Sequence, residues 1–151
     1  MIFDRKWFNK LYYKWTDAVY EKNPELAKEL DKVVVGGLGK TMAFAIKEKN
    51  PKDQYSMDDL INALQESHWF QEKVEIVEKS DNQIILQTRD CSWQLAWLKK
   101  YRDIYSCVNS HNAFLEAFCK EIDHRLRVEN LLVPSKNPED GIYCKWKIYK
   151  L

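Results

Sequence analysis

The chain has no excess charge of either sign. Charged residues make up 31% of its 151 positions, yet they nearly cancel and leave a formal net charge of +1. A balance of that kind supplies no field to hold nucleic acid or an anionic membrane, so polyanions are not expected as partners. Long apolar runs are missing too. The opening Met1-Ile2-Phe3-Asp4-Arg5-Lys6-Trp7 lacks the uninterrupted apolar core of a signal peptide, and no later run approaches the length of a membrane span. A soluble, cytoplasmic protein is the expectation. The four cysteines, at 91, 107, 119 and 144, contain no CxxC pair, which argues against a zinc ribbon or finger. In a reducing compartment such thiols are free, metal-binding or catalytic rather than bridged. No internal repeat or low-complexity tract is present, and the length suits a single domain, with a helical part over 1–70 and a sheet-containing part over 71–151.

What is present is a clear change of period. Phe8, Leu11, Tyr12, Trp15 and Val19 recur at helical spacing and predict a helix over about 3 to 22. Asn23-Pro24 reads as an N-cap followed by proline at the first helical position, opening a helix to about Lys49. Its expected stripe is Leu26, Leu30, Val33 or Val34, Leu38, Met42, Ala45 and Ile46. Within it, Val33-Val34-Val35-Gly36-Gly37-Leu38-Gly39-Lys40-Thr41 looks like a phosphate loop, but Val34 stands where that loop needs glycine. The preferred reading is a helix whose Gly36, Gly37 and Gly39 let another backbone approach, a second subunit being one such neighbour and a homodimer its consequence. Ser56-Met57-Asp58-Asp59 has the pattern of a capping box and opens a third helix through Leu60 and Leu64 toward Trp69, with His68 a cap or surface residue at its end.

From Lys73 the alternation is that of strands. Val74, Ile76 and Val77, a Ser80-Asp81-Asn82 turn, then Ile84, Leu86 and Thr88 predict an antiparallel hairpin that ends at Cys91. Two helices follow, Ser92 to Tyr101 and one starting near Cys107 with Val108, His111, Leu115, Phe118 and Ile122 along one side. Leu126, Val128 and Leu132 mark a third strand. The last strand, Gly141 to Lys150, puts Ile142, Cys144, Trp146 and Ile148 on one face and Tyr143, Lys145, Lys147 and Tyr149 on the other. The fold class is therefore α+β, with N-terminal helices, an antiparallel sheet of about four strands and two further helices.

Cys107 at a helix start is the best-placed nucleophile, because a helix N-terminus lowers a thiol's pKa, and His111 four residues on shares its face as base or second ligand. Both also have plain readings, as a buried thiol at a helix end and a hydrogen-bonded core histidine. Cys119, beside Leu115, reads as packing. Asp90 is a candidate to accept a substrate ammonium, Arg127 to clamp a carboxylate, and Trp146 to contact substrate. Six tryptophans and eight tyrosines would suit an aromatic-walled cavity for a flat or apolar ligand, or equally a packed core.

The series Cys91-Ser92-Trp93-Gln94, Cys107 with His111, Arg125-Leu126-Arg127-Val128 with Leu132, and Gly141-Ile142-Tyr143-Cys144-Lys145-Trp146 resembles the L-2-amino-thiazoline-4-carboxylic acid hydrolase-like family, itself similar to small-molecule-binding domains of the 4-vinyl reductase type. The resemblance covers roughly residues 70 to 150. It implies an α+β fold with Cys91, Cys107 and Cys144 near one pocket. It also implies hydrolysis of a small C–N or C–S compound, with Cys107 and His111 catalytic. If a metal takes part, Cys91, Cys107, His111 and Cys144 are the expected ligands of a transition metal such as zinc. The alternative is a non-catalytic ligand-binding, redox-sensing or metal-sensing domain.

Overall fold

A computed structural model describes residues 5–67, 74–106 and 108–151 of the chain; Cys107, His68 and Trp69 lie outside them. In chain order the elements are α1 (Arg5–Lys22), α2 (Pro24–Lys49), α3 (Met57–Glu66), β1 (Val74–Lys79), β2 (Gln83–Arg89), α4 (Ser92–Tyr101), α5 (Val108–Ile122), β3 (Leu126–Leu132) and β4 (Ile142–Lys150), a single 3₁₀ turn at Glu139–Gly141 leading into β4. The fold is α+β, as the change of period predicted.

Local chemistry sets the boundaries. Asn23 Oδ1 accepts from the Leu26 amide at 3.1 Å and Pro24 fills the first helical position, so α2 starts where the sequence indicates. Ser56 and Asp59 form a reciprocal capping box, the Asp59 amide donating to Ser56 Oγ at 3.2 Å and the Ser56 amide to Asp59 Oδ2 at 2.9 Å. Aspartate does here what glutamate usually does. Between β1 and β2 the Ser80 amide donates to the Gln83 carbonyl at 2.8 Å and closes the hairpin.

The four strands run antiparallel in the order β1-β2-β4-β3, so the last strand of the chain lies inside the sheet, between β2 and β3. Its register opposes Cys144 to Thr88, Trp146 to both Leu86 and Asn130, and Ile148 to both Ile84 and Val128. Cys144, Trp146 and Ile148 are buried as the alternation predicted. Tyr143, expected on the outer face, is buried as well. The cause is a register shift between Thr88 and Arg89 opposite it, where a bulge breaks strict alternation.

Helix α5 lies with Phe114, Leu115, Phe118, Cys119 and Ile122 in one core with Ile84, Leu86, Trp146 and Ile148, and α2 packs along α5. Full burial of a residue such as Leu60, Leu64, Leu86 or Leu115 contributes about 1.5–3 kcal/mol. The stripe by which α2 does this is only partly the expected one: Leu38, Met42 and Ile46 pack against the core, half-buried. Its buried residues are Ala27, Asp31, Val35, Gly39 and Ala43, while Leu26, Val33, Val34 and Phe44 stay exposed. Small residues win that face because α5 comes close: a Cβ on Gly39 would sit 2.5 Å from the Phe114 carbonyl oxygen, and one on Gly36 would touch Ala113 Cβ at 3.5 Å. The neighbour that these two glycines admit is therefore α5 of the same chain. Among the described residues no helix is long and apolar enough to cross a membrane.

Candidate functional site

The sheet face that carries Cys144 and Trp146 meets the first turns of α5. The His111 ring stands edge-on to the Trp146 indole, 6.3 Å between centroids at 70°. Trp146 is 1% exposed and Cys144, two residues earlier on the same face, 3%. Asn130 lies opposite Trp146 on β3, so the pleat puts its side chain on that face too, and its Nδ2 is a buried donor without a hydrogen-bond partner. Two of the residues singled out in the sequence, His111 and Trp146, are thus brought together, and Cys144 shares the sheet face of Trp146. Cys107 immediately precedes Val108, the first described residue of α5, and is outside the description.

Cys91 caps the N-terminus of α4 without a side-chain hydrogen bond to it. Burial pushes its thiol pKa up, and the facing amides of Gln94 and Trp93 offset only part of that. A thiol held in its neutral form is a weak nucleophile. Its neighbour is Tyr143, whose hydroxyl pKa is raised by burial first and then by the nearby Cys91 and Asp90. Cys119 is fully buried, and burial drives its thiol pKa far upward, in line with packing alone. Among the described residues no three His, Cys, Asp or Glu side chains gather into a set that would hold a metal ion.

Asp90 and Arg127 do not meet. Asp90 directly follows β2 and lies beside the start of β4, its amide donating to the Gly141 carbonyl at 2.9 Å, with its own φ at 45° and that of Gly141 at 73°. Arg127 pairs with Tyr149 near the other end of β4, and its guanidinium donates to the carbonyls of His124 at 2.7 Å and Leu126 at 2.8 Å. Seven strand residues separate the two ends, about 23 Å. One substrate cannot bridge an ammonium acceptor and a carboxylate clamp set that far apart.

The aromatic content goes mainly into packing. Trp97 is fully buried with Tyr20 at 4.9 Å, Tyr101 at 4.5 Å and Tyr105 at 4.7 Å between ring centroids, and Trp93 stacks parallel to it at 6.4 Å. Beside this cluster lies a group that sequence reasoning missed. Asp31, 1% exposed, accepts from Thr16 Oγ1 at 3.3 Å, from the Tyr105 hydroxyl and from Tyr12. Burial raises its carboxyl pKa more than those three hydroxyls lower it. The signal available was its place at i+4 from Ala27 and i−4 from Val35.

A cleft of about 540 Å³ opens elsewhere, lined by Lys47, Lys52, Tyr55, His124 and Arg125 among others. Three of its cations are engaged: Lys47 Nζ donates to the Glu121 carbonyl at 2.7 Å, Lys52 Nζ to Asp59 at 2.6 Å, and Arg125 makes a two-pronged pair with Asp123. None of the nominated site residues among those described lines it.

Residues 17–150 match the model of a family described as Family of unknown function (DUF6125). The chain belongs to this family. The match takes in α2 through β4, and with them His111, Cys144, Trp146 and the buried Asp31. No curated protein matches the chain.

Proposed function

We propose that the protein binds a small molecule beside Trp146 and hydrolyses a C–N or C–S bond in it, with Cys107 as nucleophile and His111 as its base. The supporting observation is the His111 ring against Trp146 on the face that carries Cys144, four residues along the chain from Cys107. Cys107 Sγ attacks an electrophilic ring carbon while its proton passes to His111; the electron pair of the opened bond leaves on nitrogen or sulfur, which takes that proton. Water then releases the thioester-like intermediate and regenerates the thiol. A zinc ion held by Cys91, Cys107, His111 and Cys144 has less behind it, since the described members of that set do not converge as metal ligands.

The test is turnover of L-2-amino-thiazoline-4-carboxylate, followed by release of a free thiol. Cys107→Ser and His111→Gln should each lower the rate by at least about 10²-fold with the circular dichroism spectrum unchanged. Turnover retained by Cys107→Ser removes that residue from the chemistry.

A second reading, a non-catalytic ligand-binding or redox-sensing domain, is favoured by one observation: the Cys144 thiol is buried, and that of half-buried Cys91 is held toward its neutral form. Native mass spectrometry and metal analysis separate the two readings. A retained apolar molecule without turnover supports the sensor.

A further inference from the structure

Half of the large hydrophobic side chains left exposed among the described residues stand on one surface. Trp7, Leu11 and Trp15 recur every four residues along α1, on the side away from Tyr13 and Tyr20, which pack against Trp97 of α4. Leu26, Val33, Val34 and Phe44 lie on α2 away from Gly39 and Ala43, which face α5. The two helices are antiparallel neighbours joined through Thr16 and Asp31, and both turn their inner faces to the same layer, so both apolar outer faces look the same way. Exposures run from 38% at Trp15 to 72% at Val33. At half exposure, the roughly 150–250 Å² of each of the three aromatics gives about 300 Å². Four aliphatic side chains then bring the face toward the roughly 800 Å² per partner of a stable interface.

Gly37 sits in the middle of this face. A Cβ there would meet nothing within 4 Å, unlike those on Gly36 and Gly39. Inside a helix a glycine costs about 1 kcal/mol relative to alanine, and no contact within the chain uses the space it leaves.

We infer that the outer face of the α1–α2 hairpin is the interface of a homodimer, with two copies of α2 crossing at Gly37. A two-fold axis there runs the helices antiparallel. Leu30 then meets the partner's Phe44 and Val33 meets the partner's Thr41, so apolar side chains face one another on either side of the crossing. This inference does not depend on the site at α5.

Sedimentation equilibrium of the full chain tests it. The expected mass is twice the 18.1 kDa of one chain. Val33→Glu combined with Phe44→Glu should give 18.1 kDa with an unchanged circular dichroism spectrum, while Val77→Glu, at a position 47% exposed on β1, leaves the dimer intact. Gly37→Leu, which has open space in the monomer, should weaken association at least about tenfold. A native mass of 18.1 kDa up to about 100 µM overturns the inference. So does a dimer that survives the double glutamate variant or Gly37→Leu, or a monomer that sediments with anionic phospholipid vesicles.

Discussion

Gln94 holds both backbone groups of Tyr105. Its Nε2 donates to the Tyr105 carbonyl at 2.7 Å and its Oε1 accepts from the Tyr105 amide at 3.0 Å, with both residues buried. One side chain thereby does for the connection between α4 and α5 what a neighbouring strand does in a sheet, and Tyr105 passes the constraint on to Asp31 through its hydroxyl. The amide of Gln94, the carboxylate of Asp31 and the ring of Trp97 together fix the residue from which the chain turns toward α5.

Gln94→Leu should therefore be costly although leucine fills a similar volume. It strands a buried donor and a buried acceptor on Tyr105, and the expected loss is about 2–4 kcal/mol in urea unfolding. Amide exchange at Tyr105 should quicken in the same variant. A loss below about 0.5 kcal/mol would show that water replaces the carboxamide.

The two helical glycines against α5 should respond oppositely to the same methyl group. Gly39→Ala drives Cβ into the Phe114 carbonyl and should cost about 1–3 kcal/mol as α2 and α5 move apart. Gly36→Ala makes an ordinary 3.5 Å contact with Ala113 and should gain up to about 1 kcal/mol from helix propensity. Thermal melts of the two variants check the ordering.

Asp31 and Asp123 should pull the pH dependence in opposite directions. Burial raises the folded pKa of Asp31 above its ordinary 3.8, so its folded state holds the proton more tightly, and stability falls as pH rises from 3.8 through the folded value. Asp31→Asn, whose neighbouring hydroxyls can turn to satisfy an amide, should match or exceed the native stability at neutral pH and lose that advantage in acid. Asp123, with its side chain 7% exposed, is held well below the usual carboxylate range, first by Arg125 and then by Lys150. Its contribution is present above 3.8 and fades as pH falls below it. Asp123→Asn should cost about 1.5–3 kcal/mol near neutrality and progressively less in acid. Equal penalties at both pH values would contradict the assignment for either residue.

Signals carried within a few residues were legible in the sequence. Asn23-Pro24 and the Ser56 capping box fix helix starts by local hydrogen bonds, and the alternation of β4 reflects a side chain's own preference for one face of a pleat. The α2 stripe holds at Leu38, Met42 and Ile46 but fails at Leu26, Val33 and Val34, because size and hydrophobicity point different ways there. Leu26, Val33 and Val34 are the more apolar, but Gly39 and Ala43 are the residues small enough to let α5 approach, and close packing decided the face. Asp31 was missed for a related reason: its three partners come from α1 and from the connection before α5, and no local pattern announces a carboxylate satisfied across 74 residues. Of the nominated site, the encounter of His111 with Trp146 depended only on a helix lying across a strand. Asp90 and Arg127 were grouped because both flank strands of one sheet, and antiparallel order sends those two positions to opposite ends.

The chemistry proposed at α5 rests on Cys107 being the activated thiol, and the rate of iodoacetamide labelling at each cysteine, resolved by peptide mass spectrometry across pH, tests that most directly. Cys107 should label fastest, with an apparent pKa below that of a free thiol, and His111→Gln should slow it and move its profile upward, while Cys91, Cys119 and Cys144 stay slow in the folded protein. Fastest labelling at Cys91, or a Cys107 profile indifferent to His111→Gln, would contradict it.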